Sequence, residues 1–362
     1  MGRDGQDRVR PARLTDNRGD GRAPVPPLLA VAHGSKDPRA AATISALVSL
    51  VRERAAKRAH PGQAPSLPGP RPVATPAGRP GFAVRAAFLD HCLPSVEQVL
   101  ADLAASDVPG RAGAGDRSAR RATEVAVVPL LLTSAYHAVT DIPARIAAAS
   151  ATLPWLRVRQ ADALGPHPLL LAAAQWRLEQ ALPPGLARES TSVVLAAAGS
   201  SDPGANAQIA ALAARWQEAS GWRRVVPAYA SAAFPAPGDA IRALRADGAA
   251  GGQVVVATYL LAPGHFADKV REQARQAGAV AVSAPLGAAP QVADVIFDRY
   301  LEALRGPLTW PARTGSDGTP GLGACSSART PLRKSVSWAL RITRTRRGSR
   351  GRDDVNTLTR ER

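Results

Sequence analysis

Apolar runs without polar alternation recur along this chain. Each stops at a turn residue before a stretch of helical periodicity. Leu28-Leu29-Ala30-Val31-Ala32 ends in His33-Gly34-Ser35, residues 82–89 end in Asp90-His91-Cys92, residues 124–132 run on towards His137, and residues 155–160 lead to Gly165-Pro166-His167-Pro168. A short unalternated run predicts a strand buried on both faces, as in a parallel sheet. Ile44, Leu47, Val48 and Val51 lie at helical spacing and predict a helix over 40–57, with Asp37-Pro38 as its entry. Another helix opens at 94–100. Strand and helix therefore alternate, the pattern of an α/β fold whose parallel sheet is flanked by helices.

The pattern then repeats. Ala198-Gly199-Ser200-Ser201-Asp202-Pro203 follows a run at 193–197 as His33-Gly34-Ser35-Lys36-Asp37-Pro38 follows the first. Ala228 to Pro235 matches Ala87 to Pro94, which sets Ser231 opposite Asp90. The run from Val254 ends at His265, opposite His137. Two similar lobes with a cleft between them are the simplest architecture for such a duplication. The expected organisation is a disordered segment over 1–26, one repeat over 27–182, a second over 186–305, and a disordered basic tail over 306–362. The second repeat should end in a helix over 293–304. Pro/Gly-rich insertions at 60–81 and 109–121 interrupt the first repeat without dividing it.

The net charge of +17 changes this picture little. Residues 306–362 hold twelve Lys and Arg against four Asp and Glu, so much of the excess lies in the tail. That tail attracts polyanions but lacks the interleaved aromatics of a specific nucleic-acid binder. No apolar run approaches the roughly 20 residues that span a bilayer. Cys92 and Cys325 are the only cysteines, too few for a disulfide framework or a Cys-based zinc site. A cytoplasmic protein, not bound to membrane, is expected.

Candidate chemistry gathers at the ends of the predicted strands. His33, Asp90 and His137 each follow a different strand, and parallel strands bring their carboxyl ends to one edge. Two imidazoles and a carboxylate suit a divalent Fe, Co or Ni ion with open coordination positions. The same imidazoles accept protons near neutral pH. Three unrelated loop residues are the plainer reading of the spacing. His91 is expected on the opposite side of its strand from Asp90, and therefore outside any site. His167, between prolines, reads as a polar rim residue. Trp155, Trp176, Trp216 and Trp222 read as packing residues.

His33-Gly34-Ser35 after its strand, Phe88-Leu89-Asp90 followed by Pro94, and His137 before Asp141-Ile142-Pro143 resemble the sirohydrochlorin chelatases. These class II chelatases insert ferrous iron or cobalt into sirohydrochlorin on the way to siroheme or cobalamin. The likeness runs in order over roughly 28–305. It implies a two-lobed chelatase fold with the tetrapyrrole in the cleft, and His33, His137 and Asp90 as metal-binding and catalytic residues. The family usually has Glu where this chain has the shorter Asp90. Ser35, Ser134 and His265 are expected along the substrate cleft. Ala198 and Ser231 leave the second repeat without its imidazole and carboxylate. On this resemblance the metal, Fe2+ or Co2+, is a substrate, no cofactor is tightly held, and a monomer suffices because two repeats make the cleft. Lys36, Arg39, Arg145 and Lys269 are expected to meet the carboxylates of the tetrapyrrole. A metal-delivery protein using the same three residues and a nucleic-acid-associated protein led by the basic tail are the alternatives.

Overall fold

The computed structural model describes residues 25–59, 83–106, 123–133, 140–247 and 252–309. The first repeat runs β1 (Leu28–Ala32), α1 (Pro38–Ala59), β2 (Val84–Phe88), α2 (Val96–Ser106), β3 (Thr123–Pro129), α3 (Ile142–Thr152), β4 (Leu156–Gln160) and α4 (Pro168–Ala181). The second runs β5 (Thr191–Ala197), α5 (Pro203–Ser220), β6 (Arg224–Tyr229), α6 (Pro237–Ala246), β7 (Gln253–Tyr259), α7 (His265–Gln276), β8 (Ala281–Val282) and α8 (Pro290–Arg305). Each forms a four-stranded parallel sheet, ordered β2-β1-β3-β4 and β6-β5-β7-β8. The α/β expectation and the duplication are both found. The insertions at 60–81 and 109–121, residues 1–24 and the tail from 310 lie outside the described residues. Among the described residues no helix is long and apolar enough to cross a membrane.

The local reasons are those of the sequence. β1 is buried at every position, so it carries no polar alternation. Its side chains divide by pleat: Leu28, Ala30 and Ala32 face a central core, Leu29 and Val31 an outer one. Asp37 and Asp202 cap α1 and α5, accepting the backbone N–H of Arg39 at 2.9 Å and of Gly204 at 2.8 Å. A proline follows each cap, where its missing N–H costs nothing.

Three cores result. The central one is shared: α1, α4, α5 and α8 fill it between the inner faces of both sheets. The outer cores lie beneath α2 and α3 on one side and α6 and α7 on the other. The helices that close the repeats are exchanged. α8 packs on α1, β3 and β4 of the first repeat, and α4 packs on β7 and β8 of the second. Polar contacts stitch the exchange. Tyr300 of α8 donates its hydroxyl to the Pro26 carbonyl at 2.7 Å, and Arg54 pairs with Asp294 at 3.0 Å. Gln175 of α4 accepts both indole N–H groups of Trp216 and Trp222, at 2.9 and 3.3 Å. Those two tryptophans are buried packing residues, as expected.

Candidate active site

The switch in strand order falls between β1 and β3 in one sheet and between β5 and β7 in the other, so the chain leaves these neighbouring strands in opposite directions and opens a crevice at their carboxyl ends. Two adjoining hollows lie there, of about 350 and 540 Å³. They share His33, Leu130, Ala198, Leu260, Leu261 and Phe266 as wall. His33 follows β1 directly and is exposed to both. The smaller hollow reaches into the second repeat, to Ser200, Asn206, Ser231 and Tyr259. The larger lies between the start of α1 and the start of α7, bounded by Ser35, Lys36 and Ala40 on one side and by Gly264, His265 and Ala267 on the other.

The turns that carry these residues are built alike in both repeats. The Asp90 N–H donates to the His33 carbonyl at 2.9 Å, and the Ser231 N–H to the Ala198 carbonyl at 2.8 Å. Gly34 and Gly199 adopt φ of 95° and 84°, and each backbone lies against the carbonyl of the facing turn. In the next residues Cys92 N–H donates to the Asp90 carbonyl and Ala233 N–H to the Ser231 carbonyl, both at 2.7 Å. This i to i+2 bond closes a γ-turn whose central residues, His91 and Ala232, have φ of 61° and 55°. Left-handed backbone at a residue with a Cβ is costly, and here it occurs twice at matched positions. The backbone frame is thus common to both repeats, while the side chains differ.

That turn corrects the expectation for His91. β2 ends at Phe88, so the alternation that would place His91 opposite Asp90 does not reach it. His91 lies on the wall of the larger hollow, and Asp90 lines neither hollow. The Asp90 carboxylate is half exposed and 3.8 Å from Arg145, which also pairs with Glu97 at 3.1 Å and donates to the Leu89 carbonyl at 3.1 Å. The signal for this turn was present in the sequence. Asp90 and Pro94 bracket a short span of weak strand formers, and period-two reasoning does not pass through a turn.

Ser35 and His265 line the larger hollow. The Ser35 hydroxyl accepts the Asp37 N–H at 3.1 Å, and its carbonyl accepts the Cys92 thiol at 3.0 Å. His265 is the first residue of α7, beside Phe266 with ring centroids 5.5 Å apart. His137 and Ser134 lie outside the described residues. Among the described residues no group of three or more His, Cys, Asp or Glu is gathered to hold a metal ion. Of the four cations expected to face carboxylates, Lys36 is on the wall of the larger hollow. Arg39 and Arg145 are engaged in ion pairs, and Lys269 is exposed and lines neither hollow. His167 is the N-cap of α4, its Nδ1 accepting the Leu169 N–H at 3.2 Å, and burial holds its pKa below the usual imidazole value.

Comparison with known proteins agrees with the duplication. The CbiX family model matches residues 74–181 and again 192–303. The sirohydrochlorin ferrochelatase of Bacillus subtilis (strain 168) is 29% identical over 185 residues, 50% of this chain and 69% of that protein. Among solved structures, SirB from Bacillus subtilis with Fe3+ aligns with a TM-score of 0.58 and 22% identity, over 76% of this chain and 94% of SirB. The sirohydrochlorin chelatase SirB from Bacillus subtilis subspecies spizizenii, in complex with cobalt, aligns with a TM-score of 0.55 and 21% identity, over 77% and 95% of the two chains. At these identities the structures establish a common fold.

Proposed function

The chain belongs to the CbiX family, and from that premise we propose that it is a sirohydrochlorin chelatase, placing a divalent metal ion in the tetrapyrrole. One observation carries the reading: the two-copy family match coincides with a crevice at the carboxyl ends of two parallel sheets, with His33 on both of its hollows.

In this reading His33 and His137 are neutral imidazoles that hold the incoming ion and present it to one face of the ring. Pyrrole N–H protons leave as metal–nitrogen bonds form, and an imidazole freed of metal accepts them. Asp90 is the third member of the set. Its carboxylate faces Arg145, which makes it the less direct acceptor. The apolar wall, with Leu130, Leu260, Leu261 and Phe266, suits the flat macrocycle, and the Ala198 and Ser231 side leaves room for it. One chain supplies both sides of the crevice, so a monomer is a sufficient unit.

Iron is the first metal we assign, because the curated relative is a ferrochelatase; cobalt is the second, since the same ligand types accept both. The test is anaerobic metal insertion, followed by the absorbance of sirohydrochlorin, with Fe2+ and Co2+ at matched free concentrations. Faster turnover with cobalt reverses the assignment. Metal binding by the protein with no change in the tetrapyrrole spectrum makes it a carrier of metal rather than a chelatase.

A further inference from the structure

Beside the larger hollow an ion pair joins the two repeats, its own residues lying just outside the lining. Arg39, in the first turn of α1, donates from Nη2 to Asp268 in the first turn of α7 at 2.5 Å. The neighbours of both residues, Lys36 and Ala40 on one side and His265 and Ala267 on the other, line the hollow. Asp37 holds the same guanidinium from below, accepting Nε at 3.1 and 3.0 Å and Nη2 at 2.6 Å, while it caps α1. The contact is close in the backbone as well: a Cβ placed on Gly264 would lie 3.7 Å from the Ser35 hydroxyl and 4.0 Å from the Asp37 Cβ.

We propose that Arg39 is a carboxylate receptor of the substrate crevice, held in reserve by Asp268 and released to an acidic side arm of the tetrapyrrole as it enters. The inference rests on the chelatase reading, since it takes a polycarboxylate as the ligand. Three features make the exchange possible. The Arg39 and Asp268 side chains are 52% and 46% exposed, so their mutual attraction is screened by water and is readily replaced. Asp268 has a second cationic neighbour on its own helix, Arg271 at 3.6 Å, and is not left alone when the substrate takes its place at Arg39 Nη2. Asp37 keeps its hold on Nε throughout, which fixes the guanidinium at the crevice, while Nη1 donates to no described residue and offers its edge to a carboxylate. Arg145, the other arginine near the turns, lacks this freedom, since Glu97, Asp90 and the Leu89 carbonyl already surround it.

The test is binding of metal-free sirohydrochlorin, measured by fluorescence titration, to the full chain and to Arg39→Gln, Asp268→Asn and the double variant, after thermal melts confirm that each is folded. Arg39→Gln should weaken binding about tenfold, in the range for a charged contact in a crevice. Asp268→Asn should tighten it about two- to fivefold, because the competitor is removed. In the double variant the Asp268 substitution should add nothing. If Asp268→Asn weakens binding or leaves it unchanged, the exchange is overturned; if its tightening persists without Arg39, the exchange is likewise overturned and Asp268 acts only through the general field. Wild-type protein that binds no sirohydrochlorin overturns the chelatase reading itself. Wild-type binding and metallation with no coupling in the cycle overturn this inference alone.

Discussion

The Asp90 backbone N–H donates to the His33 carbonyl at 2.9 Å, and a Cβ on the intervening Gly34 would stand 1.8 Å from the Asp90 carbonyl oxygen. The position of the one described imidazole that faces both hollows therefore depends on a residue with no side chain. Gly34→Ala must move one of the two turns, and at φ of 95° it strains the backbone besides. We expect a loss of about 3 kcal/mol or more, with chelation lost along with the placement of His33. Gly199→Ala should destabilise similarly, since the Ser231 carbonyl lies 1.9 Å from its Cβ position, yet spare more of the metal chemistry. Gly185→Ala is the control. It has φ of 79° but nothing within 4 Å, so only about 1–2 kcal/mol is at stake. Urea midpoints at constant m separate the three.

Side chains on the two frames should differ in weight. In the roles proposed above, metal ligand and proton acceptor at once, His33→Ala and His137→Ala should each cut turnover by orders of magnitude. His265→Ala, at the start of α7, should cost tenfold or less, about 1.4 kcal/mol. His91→Ala belongs with His265, since both share the larger hollow with His33. Steady-state insertion rates on folded variants decide this. If His265→Ala is as damaging as His33→Ala, the metal is handled from the second repeat.

Much of this was legible in the sequence. The run Leu28–Ala32 announced a strand covered on both faces, and the matched turns after it announced the duplication. What hydrophobic spacing cannot say is against what a face is buried. The apolar positions of α8, Val292, Ile296 and Tyr300, read the same whether they cover their own sheet or the other one, so the exchange of α4 and α8 was invisible. The place of His91 departs from the strand pattern for a related reason. Alternation describes a strand and does not carry past Phe88, where Asp90 and Pro94 mark the γ-turn that the Cys92 N–H closes on the Asp90 carbonyl. The place of Asp90 after a strand is legible in the sequence, whereas its neighbour Arg145 arrives from a helix some fifty residues later.

His167 offers a pH test of an element away from the crevice. Its Nδ1 can accept the Leu169 N–H only while the ring is neutral, and burial, reinforced by Arg299, lowers its pKa in the folded protein. A depressed folded pKa means the cap contributes stability above the unfolded value near 6.5 and loses it as pH falls through the folded one. Melting temperature should therefore fall across mildly acidic pH. His167→Asn, which caps without titrating, should flatten that segment of the profile, whereas His167→Ala should lower the curve at neutral pH by about 1 kcal/mol. An unchanged slope in His167→Asn would assign the acid sensitivity elsewhere.

The exchange of helices makes a prediction about the halves taken separately. In a fragment of residues 25–185, α4 loses β7 and β8, and the inner face of the first sheet loses α8. Val292, Val295, Ile296, Phe297 and Tyr300 are all buried in the shared core. At about 1.5–3 kcal/mol for each large apolar side chain, their removal costs on the order of 10 kcal/mol. That equals the whole stability of an ordinary domain, about 5–15 kcal/mol. The fragment should therefore show no cooperative urea transition and little near-ultraviolet dichroism, despite holding a complete four-stranded sheet. The same holds for residues 186–309, which lack α4 and the Gln175 amide shared by Trp216 and Trp222. Mixing the two fragments should restore both signals, with a midpoint that rises with concentration as for any associating pair. A sharp, concentration-independent transition in either fragment alone would show that each repeat carries its own core, and that the exchanged helices merely dock.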